Sequence, residues 1–323
     1  MTTPPDEFAW IESLRPLTRG DPRALGLLDD VAVLPARPGF DLVVSVDAMV
    51  EGVHFLADER PQTVARRLLR TSLSDLAAKA ATPFGYFLTT AWPASRPAGW
   101  RRAFAQGLAE DGDEFGVALL GGDTVATAGP LTLTATVMGW SRAGTAVLRS
   151  GARALDALVA CGVVGDGHLG LLSARGEIAD PGGRLAAHYR APRPLFGLRA
   201  TLLRFAHAAA DVSDGLIADA RHIASASGLG LSIRLDELPF SIGASQWLAS
   251  AGDQAAARLT LATGGDDYGI VCAVAPQDVE AFRREAAATG TPAQAVGAFT
   301  AEPGLAVSFQ GAPVHADRLG WVH

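Results

Sequence analysis

The chain has 323 residues, 49% hydrophobic and 19% charged, an ordinary globular composition whose length suggests about two domains. Lysine and arginine number 27 against 34 aspartate and glutamate, a net charge of −7, without the basic surplus or stripe of a nucleic-acid binder. A chain this long buries a sizeable core without disulfides or structural metal, and no apolar run approaches the roughly 20 residues a membrane span needs.

The opening stretch MTTPPDEFAW carries neither a basic n-region nor an apolar h-region, so a soluble cytoplasmic protein is expected. Residues 1–28 read as a lead-in helix and loop. The apolar, β-branched run DLVVSVD at 41–47 predicts a strand that ends in polar residues. Residues 61–80 follow a proline and carry Val64, Leu68, Leu69, Leu73 and Leu76 on one helical stripe. A strand at 84–92, a helix at 96–111 and strands at 116–121 and 131–139 complete a β-α-β-α-β-β order, an α+β layer with helices on a sheet. A composition shift at 140–155 marks a domain boundary, giving an N-terminal domain over 1–140 and a C-terminal one over 141–323. The second half opens on a strand at 157–164 and a Gly-rich turn, GDG at 165–167. Helices are predicted at 168–175, 182–190, 195–209 and 215–226, with strands near 230–235 and 269–275. Cys161 and Cys272 sit in apolar runs and read as buried strand thiols, with no zinc-ligand spacing.

Aspartates recur where predicted strands give way to turns or helices, mostly beside Gly, Ser or Ala: Asp30, Asp47, Asp75, Asp123, Asp211 and Asp214. Small neighbours let a phosphate or another backbone approach closely. Any one of these residues is ordinarily an N-cap or turn aspartate; the set gains meaning if it converges. Carboxylates about 4 Å apart repel by roughly 4 kcal/mol per pair at an effective dielectric near 20. Three such pairs rival the about 5–15 kcal/mol that holds a domain together, so they must be protonated or share cations. Oxygen-only ligands favour magnesium over zinc. Metals bridging β- and γ-phosphates supply what phosphoryl transfer needs. Neither a GxxxxGK[ST] loop nor the HRD and DFG signatures are present, so a nucleotide site here is of another kind. GGD at 121–123 and GGDDY at 264–268 suit phosphate-approach turns, though such turns are usually plain connections. Ser213 in VSDG precedes a predicted helix N-terminus and is as readily a capping serine as a phosphate donor. His54, Arg149 and Trp321 taken singly read as a structural histidine, a surface cation and a packing aromatic.

The stretches SVDAMVEGVHF at 45–55, SLSDLAAKAATP at 72–83, GGDT at 121–124, RSGA at 149–152, DVSDGL at 211–216 and GGDDY at 264–268, in this order, resemble the thiamine-monophosphate kinase family. That family lies within the superfamily of aminoimidazole-ribonucleotide synthetase and selenophosphate synthetase. The resemblance spans about residues 26 to 321. It implies an α+β first domain that pairs across a homodimer and an α/β-type second domain that closes over nucleotide. It also implies ATP-dependent phosphorylation of thiamine monophosphate to thiamine diphosphate with magnesium. By resemblance Asp30, Ser45, the backbone of Val46, Asp47, Asp75, Asp123, Asp211 and Asp214 match metal ligands. Of these, Asp47, Asp75 and Asp123 are the expected catalytic carboxylates. Gly122, Asp123, Arg149 and Ser213 match nucleotide contacts, and His54, Asp266 and Trp321 match the region that holds thiamine phosphate. No nucleic-acid or membrane partner is expected.

Three positions depart from the family pattern. Leu28 precedes Asp29 and Asp30 where a glycine is usual, Val46 replaces a threonine, and GGDDYG replaces GGEDYE, so Asp266 is one methylene shorter. Two other readings stay open: a relative with another substrate, and a nucleotide-binding regulator that has lost catalysis. No cysteine precedes position 161, and the chain ends Trp-Val-His. These features speak against the selenophosphate and hydrogenase-maturation members respectively.

Overall fold

In the computed structural model, residues 7–321 are described, and the chain divides into two units: residues up to Leu76 with Ala81–Gly144, and Ala77–Ala80 with Thr145 onward. The first unit opens with α1 (Glu7–Leu14), then β1 (Phe40–Val50), α2 (Pro61–Ala78), β2 (Thr82–Pro93), α3 (Ala98–Phe115), β3 (Ala118–Thr127) and β4 (Thr132–Arg142). Pro61 opens α2, where its missing N–H is no loss. The apolar stripe of α2 packs completely: Val64 is 1% exposed, and Leu68, Leu69, Leu73 and Leu76 are fully buried. Arg70 of α2 grips the buried Asp111 of α3 through two bonds of 2.7 and 2.8 Å, which fixes the two helices against each other. Gly116, at φ 67°, ends α3 in the left-handed conformation that glycine adopts at no steric cost.

The four strands are ordered β1-β4-β2-β3. Only β2 and β3 run parallel, joined by α3 as crossover. The register aligns Asp47 with Ala135, Ala135 with Leu88, and Leu88 with Gly122 across the whole sheet. The next row aligns Ala48, Thr134, Thr89 and Asp123. Neighbouring rows face opposite sides of a sheet. At Gly122 a Cβ would stand 1.9 Å from the Leu88 carbonyl oxygen, so the pairing of β3 requires a glycine there.

The second unit contains β5 (Ala157–Cys161), α4 (Asp166–Ala174), α5 (Arg184–Arg190), α6 (Arg199–Phe205), β6 (Ala206–Asp211), α7 (Leu216–Ala226), β7 (Gly230–Arg234), α8 (Ile242–Ala249), α9 (Gln254–Ala262), β8 (Ile270–Val274), α10 (Val279–Ala288), β9 (Ala293–Thr300), β10 (Leu305–Phe309) and β11 (Ala312–Pro313). Its seven strands are ordered β11-β10-β7-β9-β5-β8-β6. Helix and strand alternate as the sequence suggests, yet among the paired strands only β7 and β10 are parallel. Period-two alternation sends Leu158, Ala160, Val271 and Ala273 to a core with α7. Val159, Cys161, Ile270 and Cys272 go to a core with α6 and α10 on the other face. Helices therefore cover both faces, and every residue of β8 is buried.

One element differs in kind from the sequence reading. The predicted helix at 195–209 ends at Phe205, and 206–211 is strand β6. The run AHAAAD favours helix by propensity, but pairing with β8 and burial on both faces override it. That switch delivers Asp211 to a strand end. Both cysteines are buried in β5 and β8, as expected. No helix among the described residues is long and apolar enough to cross a membrane.

Gly122→Ala should destabilise the protein by about 1–3 kcal/mol, the usual cost of overpacking. Urea denaturation checks this; an unchanged midpoint would mean that β3 does not approach β2 as closely as described.

Candidate active site

In the first unit, Ser45 and Asp47 project from the same face of β1 towards α2, while Val46 between them is 59% exposed. The Ser45 hydroxyl donates to Asp75 Oδ2 on α2. Asp47 is pushed up to about 6, first by burial and then by the charge of Asp75, against an opposing hydrogen bond from Ser72. Ser72, fully buried one turn before Asp75, was missed by sequence reasoning. Its only signal was its place three residues ahead of Asp75 on one helix face. Ser45, Asp47, Ser72 and Asp75 thus form one cluster of oxygens in which two carboxylates share a partly buried space.

Asp30 and Asp123 belong to a different place. They line a cavity of about 410 Å³ together with Asp29, Gly121, Gly122 and Thr124, with Ile11, Leu14, Phe87 and Leu119 as apolar wall. Asp123 lies on edge strand β3 and Asp47 on edge strand β1, in rows that face opposite sides of the sheet. Three strand spacings, roughly 14 Å, separate the two edges. One chain therefore carries two acidic half-sites in this unit instead of one pooled cluster. His54 sits in the turn after β1: its Nδ1 accepts from the Val50 N–H at 3.0 Å, which places the ring proton on Nε2. Arg67 Nε donates to the His54 carbonyl at 2.9 Å.

In the second unit the chain from Asp211 to Gly215 leaves β6 and turns into α7. Asp211 is 4% exposed. Ser213 and Asp214 occupy the turn, which two other segments grip by backbone bonds. Asp266 N–H donates to the Ser213 carbonyl and Tyr268 N–H to the Val212 carbonyl, both at 2.8 Å. From the C-terminal end, Trp321 N–H donates to the Asp214 carbonyl at 2.8 Å. Gly320 is required beneath it, since a Cβ there would stand 2.7 Å from the same oxygen. Ser213, Asp214, Asp266 and Trp321, drawn from three distant stretches, are thereby assembled on one loop cluster. Trp321 is 46% exposed, with the Arg318 guanidinium 5.3 Å from the centre of its ring.

Sequence reasoning missed Asp219 and Asp267 here. Asp219, 1% exposed in the first turn of α7, accepts from the Asp214 and Gly215 N–H groups at 3.1 and 3.2 Å. Burial and then the neighbouring Asp214 charge push it up to about 7, against those two bonds and the nearby Arg149. Arg149 therefore belongs to the same surroundings, on a loop whose Gly151 and Ala152 N–H groups both donate to Ser227 Oγ at 3.2 Å. Asp214, Asp219 and His222 present ligand atoms within 4.8 Å of one another. Asp219's signal was an aspartate in the opening turn of a helix, which reads as dipole compensation. Asp267 is buried and is pushed up to about 8 by burial, although it accepts from Gly165 and Gly167 N–H at 2.8 and 2.9 Å.

Residues 28–141 match the AIR synthase related protein N-terminal domain and residues 155–310 the corresponding C-terminal domain. A thiamine-monophosphate kinase of Caulobacter vibrioides is 54% identical over 99% of this chain and 91% of its own length. The chain belongs to the thiamine-monophosphate kinase family. The crystal structure of the thiamine-monophosphate kinase from Stenotrophomonas maltophilia K279a matches with a TM-score of 0.83 at 33% identity, covering 95% of this chain and 98% of that one. AaThiL complexed with AMPPCP and TMP shares the fold, with a TM-score of 0.76 at 22% identity over 97% of this chain and 96% of that one.

Two of the three positions set apart in the sequence, Leu28 and Val46, are exposed residues. Leu28 is 73% exposed and Val46 59% exposed, so neither change disturbs a core. Asp266 stands in the left-handed conformation at φ 63° and Tyr268 at φ 49°, so the GGDDY segment is locally strained.

Asp47, Asp219 and Asp267, raised by burial as Asp111 and Asp166 also are, set a pH dependence that outweighs the opposite one of the partly buried His168. Each binds its proton more tightly folded than at the ordinary 3.8. Their stabilisation is complete below about pH 4 and is lost as pH rises through about 6, 7 and 8. The protein should melt at lower temperature as pH is raised from about 5 to about 8.5. Calorimetric melting against pH checks this; a melting temperature rising across that window would contradict the assignments.

Proposed function

We propose that this chain transfers the γ-phosphoryl group of ATP to the phosphate of thiamine monophosphate, giving thiamine diphosphate and ADP. The end-to-end match, 54% identity across 99% of the chain to a thiamine-monophosphate kinase, carries this reading. The acidic side chains support it, because they have the partners that binding a metal-chelated triphosphate requires. In the first unit Ser45, the Val46 carbonyl, Asp47 and Asp75 hold magnesium, as do Asp30 and Asp123 beside the cavity. Gly122 and Asp123 meet the nucleotide, and His54 belongs to the acceptor region. In the second unit Asp211 and Asp214 are metal ligands, Arg149 and Ser213 contact phosphates, and Asp266 and Trp321 face the acceptor.

The donor set fits magnesium: hard oxygen ligands, with Asp47 held above the carboxylate range beside Asp75. Bound there, magnesium supplies charge neutralisation for the phosphates. An acceptor phosphate oxygen forms the new bond to the γ-phosphorus while the bridging bond to the β-phosphate breaks and ADP departs. A phosphate nucleophile is ionised at neutral pH, so no strong general base is required.

We further propose a homodimer. On the face of the first sheet that carries Asp123, Val44 and Val46 of β1 and Val125 of the opposite edge strand β3 are 50%, 59% and 47% exposed, apolar side chains that a second copy would cover.

Thiamine monophosphate with ATP and magnesium should yield thiamine diphosphate, and chelation with EDTA should stop it. Turnover of a different phosphate ester, with none of thiamine monophosphate, would reject the assignment, as would nucleotide binding without turnover. Asp47→Asn and Asp123→Asn should each lower kcat by at least about a hundredfold with circular dichroism unchanged. Metal-free Asp47→Asn should melt no lower than the parent, because like-charge repulsion is removed. Full activity in both variants would contradict the reading.

A further inference from the structure

The loop that presents Asp266 is anchored by a residue that the proposed chemistry does not use. Asp267 follows it, 3% exposed, and its two carboxylate oxygens accept separate backbone bonds: Oδ2 from Gly165 N–H at 2.8 Å and Oδ1 from Gly167 N–H at 2.9 Å. These close the GDG turn that opens α4, about a hundred residues earlier in the chain. The Asp267 carbonyl in turn accepts from His188 Nε2 at 2.9 Å, so backbone and side chain are both committed. The two loops touch backbone to backbone, since a Cβ on Gly167 would stand 2.2 Å from the Asp266 carbonyl oxygen and 2.8 Å from its Cβ.

On either side of this anchor the chain is strained. Asp266 and Tyr268 both have positive φ, at 63° and 49°, a conformation that costs a residue bearing a side chain on the order of 1 kcal/mol. A fold that needed only to close this loop could place a glycine at 266, as it does at Gly265. Instead a carboxyl is buried at 267, its desolvation offset in part by two N–H donors, and the outcome is a backbone at Asp266 held in one conformation, from which its side chain departs.

We propose that Asp267 is a positioning residue for the acceptor: by clamping the 165–167 turn it holds Asp266 in the orientation that receives thiamine monophosphate. This rests on the reading of Asp266 as a substrate-facing group. Asp267→Asn keeps the shape but sets an NH₂ against one of the two backbone N–H donors, so one clamp bond is lost and a donor clash replaces it.

Steady-state kinetics with both substrates tests this. Asp267→Asn should raise the KM for thiamine monophosphate by about tenfold or more, the scale of one buried hydrogen bond lost and its donor left unpaired, with the KM for ATP within about twofold and kcat within about threefold. A loss of stability alone would lower the active fraction and leave both KM values unmoved. An acceptor KM within about twofold of the parent's would overturn the proposal. Should Asp267→Asn fail to fold, Gly167→Ala decides, because its methyl pushes on the Asp266 carbonyl and Cβ and so disturbs the clamped contact from the 165–167 side without changing the Asp267 side chain itself. A selective rise in acceptor KM supports the clamp, and none overturns it. Asp266→Ala separates the two layers. If it leaves the acceptor KM unchanged, the substrate assignment of Asp266 fails and the positioning role with it. If it raises that KM while Asp267→Asn does not, only the positioning role fails.

Discussion

Carboxylates held close together away from water cannot all be ionised without a counter-charge, and this constraint organises the molecule. Asp47 beside Asp75 in the first unit, and Asp219 beside Asp214 in the second, are each pushed towards the protonated form by burial and by a neighbour of like charge. A chain carrying a net charge of −7 could have spaced these groups apart at no cost to its cores. It instead surrounds them with hydroxyls, backbone N–H groups and glycines, which orient oxygen atoms but do not neutralise them. Protonation relieves such an arrangement, and in the proposed function hard cations would relieve it instead and serve as partners for a triphosphate.

The folds of the two units serve this arrangement in different ways. In the first, a strand and a helix face each other, so Ser45 and Asp47 from β1 meet Ser72 and Asp75 from α2. The pairing of Arg70 with the buried Asp111 and the completely packed stripe of α2 keep that helix from shifting. In the second, loops at strand ends are tied to one another through main-chain bonds, so Ser213, Asp214, Asp266 and Trp321 owe their places to carbonyls and amides.

Much of this was legible in the amino-acid order. The β-α-β-α-β-β arrangement of the first half follows from period-two and helical apolar stripes, which depend only on neighbours in sequence. The candidate carboxylates were found because Asp beside Gly, Ser or Ala is a local signal. The expected strand-end placement holds for Asp211 but not for Asp47 and Asp123, which lie within β1 and β3 because pairing with β4 and β2 extends those strands, or for Asp75, which lies in α2. Strand order was not legible: nothing local says that β4 inserts between β1 and β2, so the separation of Asp47 from Asp123 across the sheet could not be foreseen. Asp267 escaped notice because its partners, Gly165 and Gly167, are remote in sequence. Strand β6 was read as helix because an alanine run obeys propensity until a neighbouring strand claims its backbone. The exposed Leu28 and Val46 show the converse, departures visible in sequence whose surroundings prove permissive.

The claim that these carboxylates await a cation is tested most directly by counting protons released when magnesium binds, by calorimetric titration in buffers of different ionisation enthalpy. Near pH 6, where Asp47 is about half protonated, magnesium should displace a measurable fraction of a proton per chain, and Asp47→Asn should reduce that release. Magnesium binding with no proton release at that pH, or release unaltered in Asp47→Asn, would contradict the account.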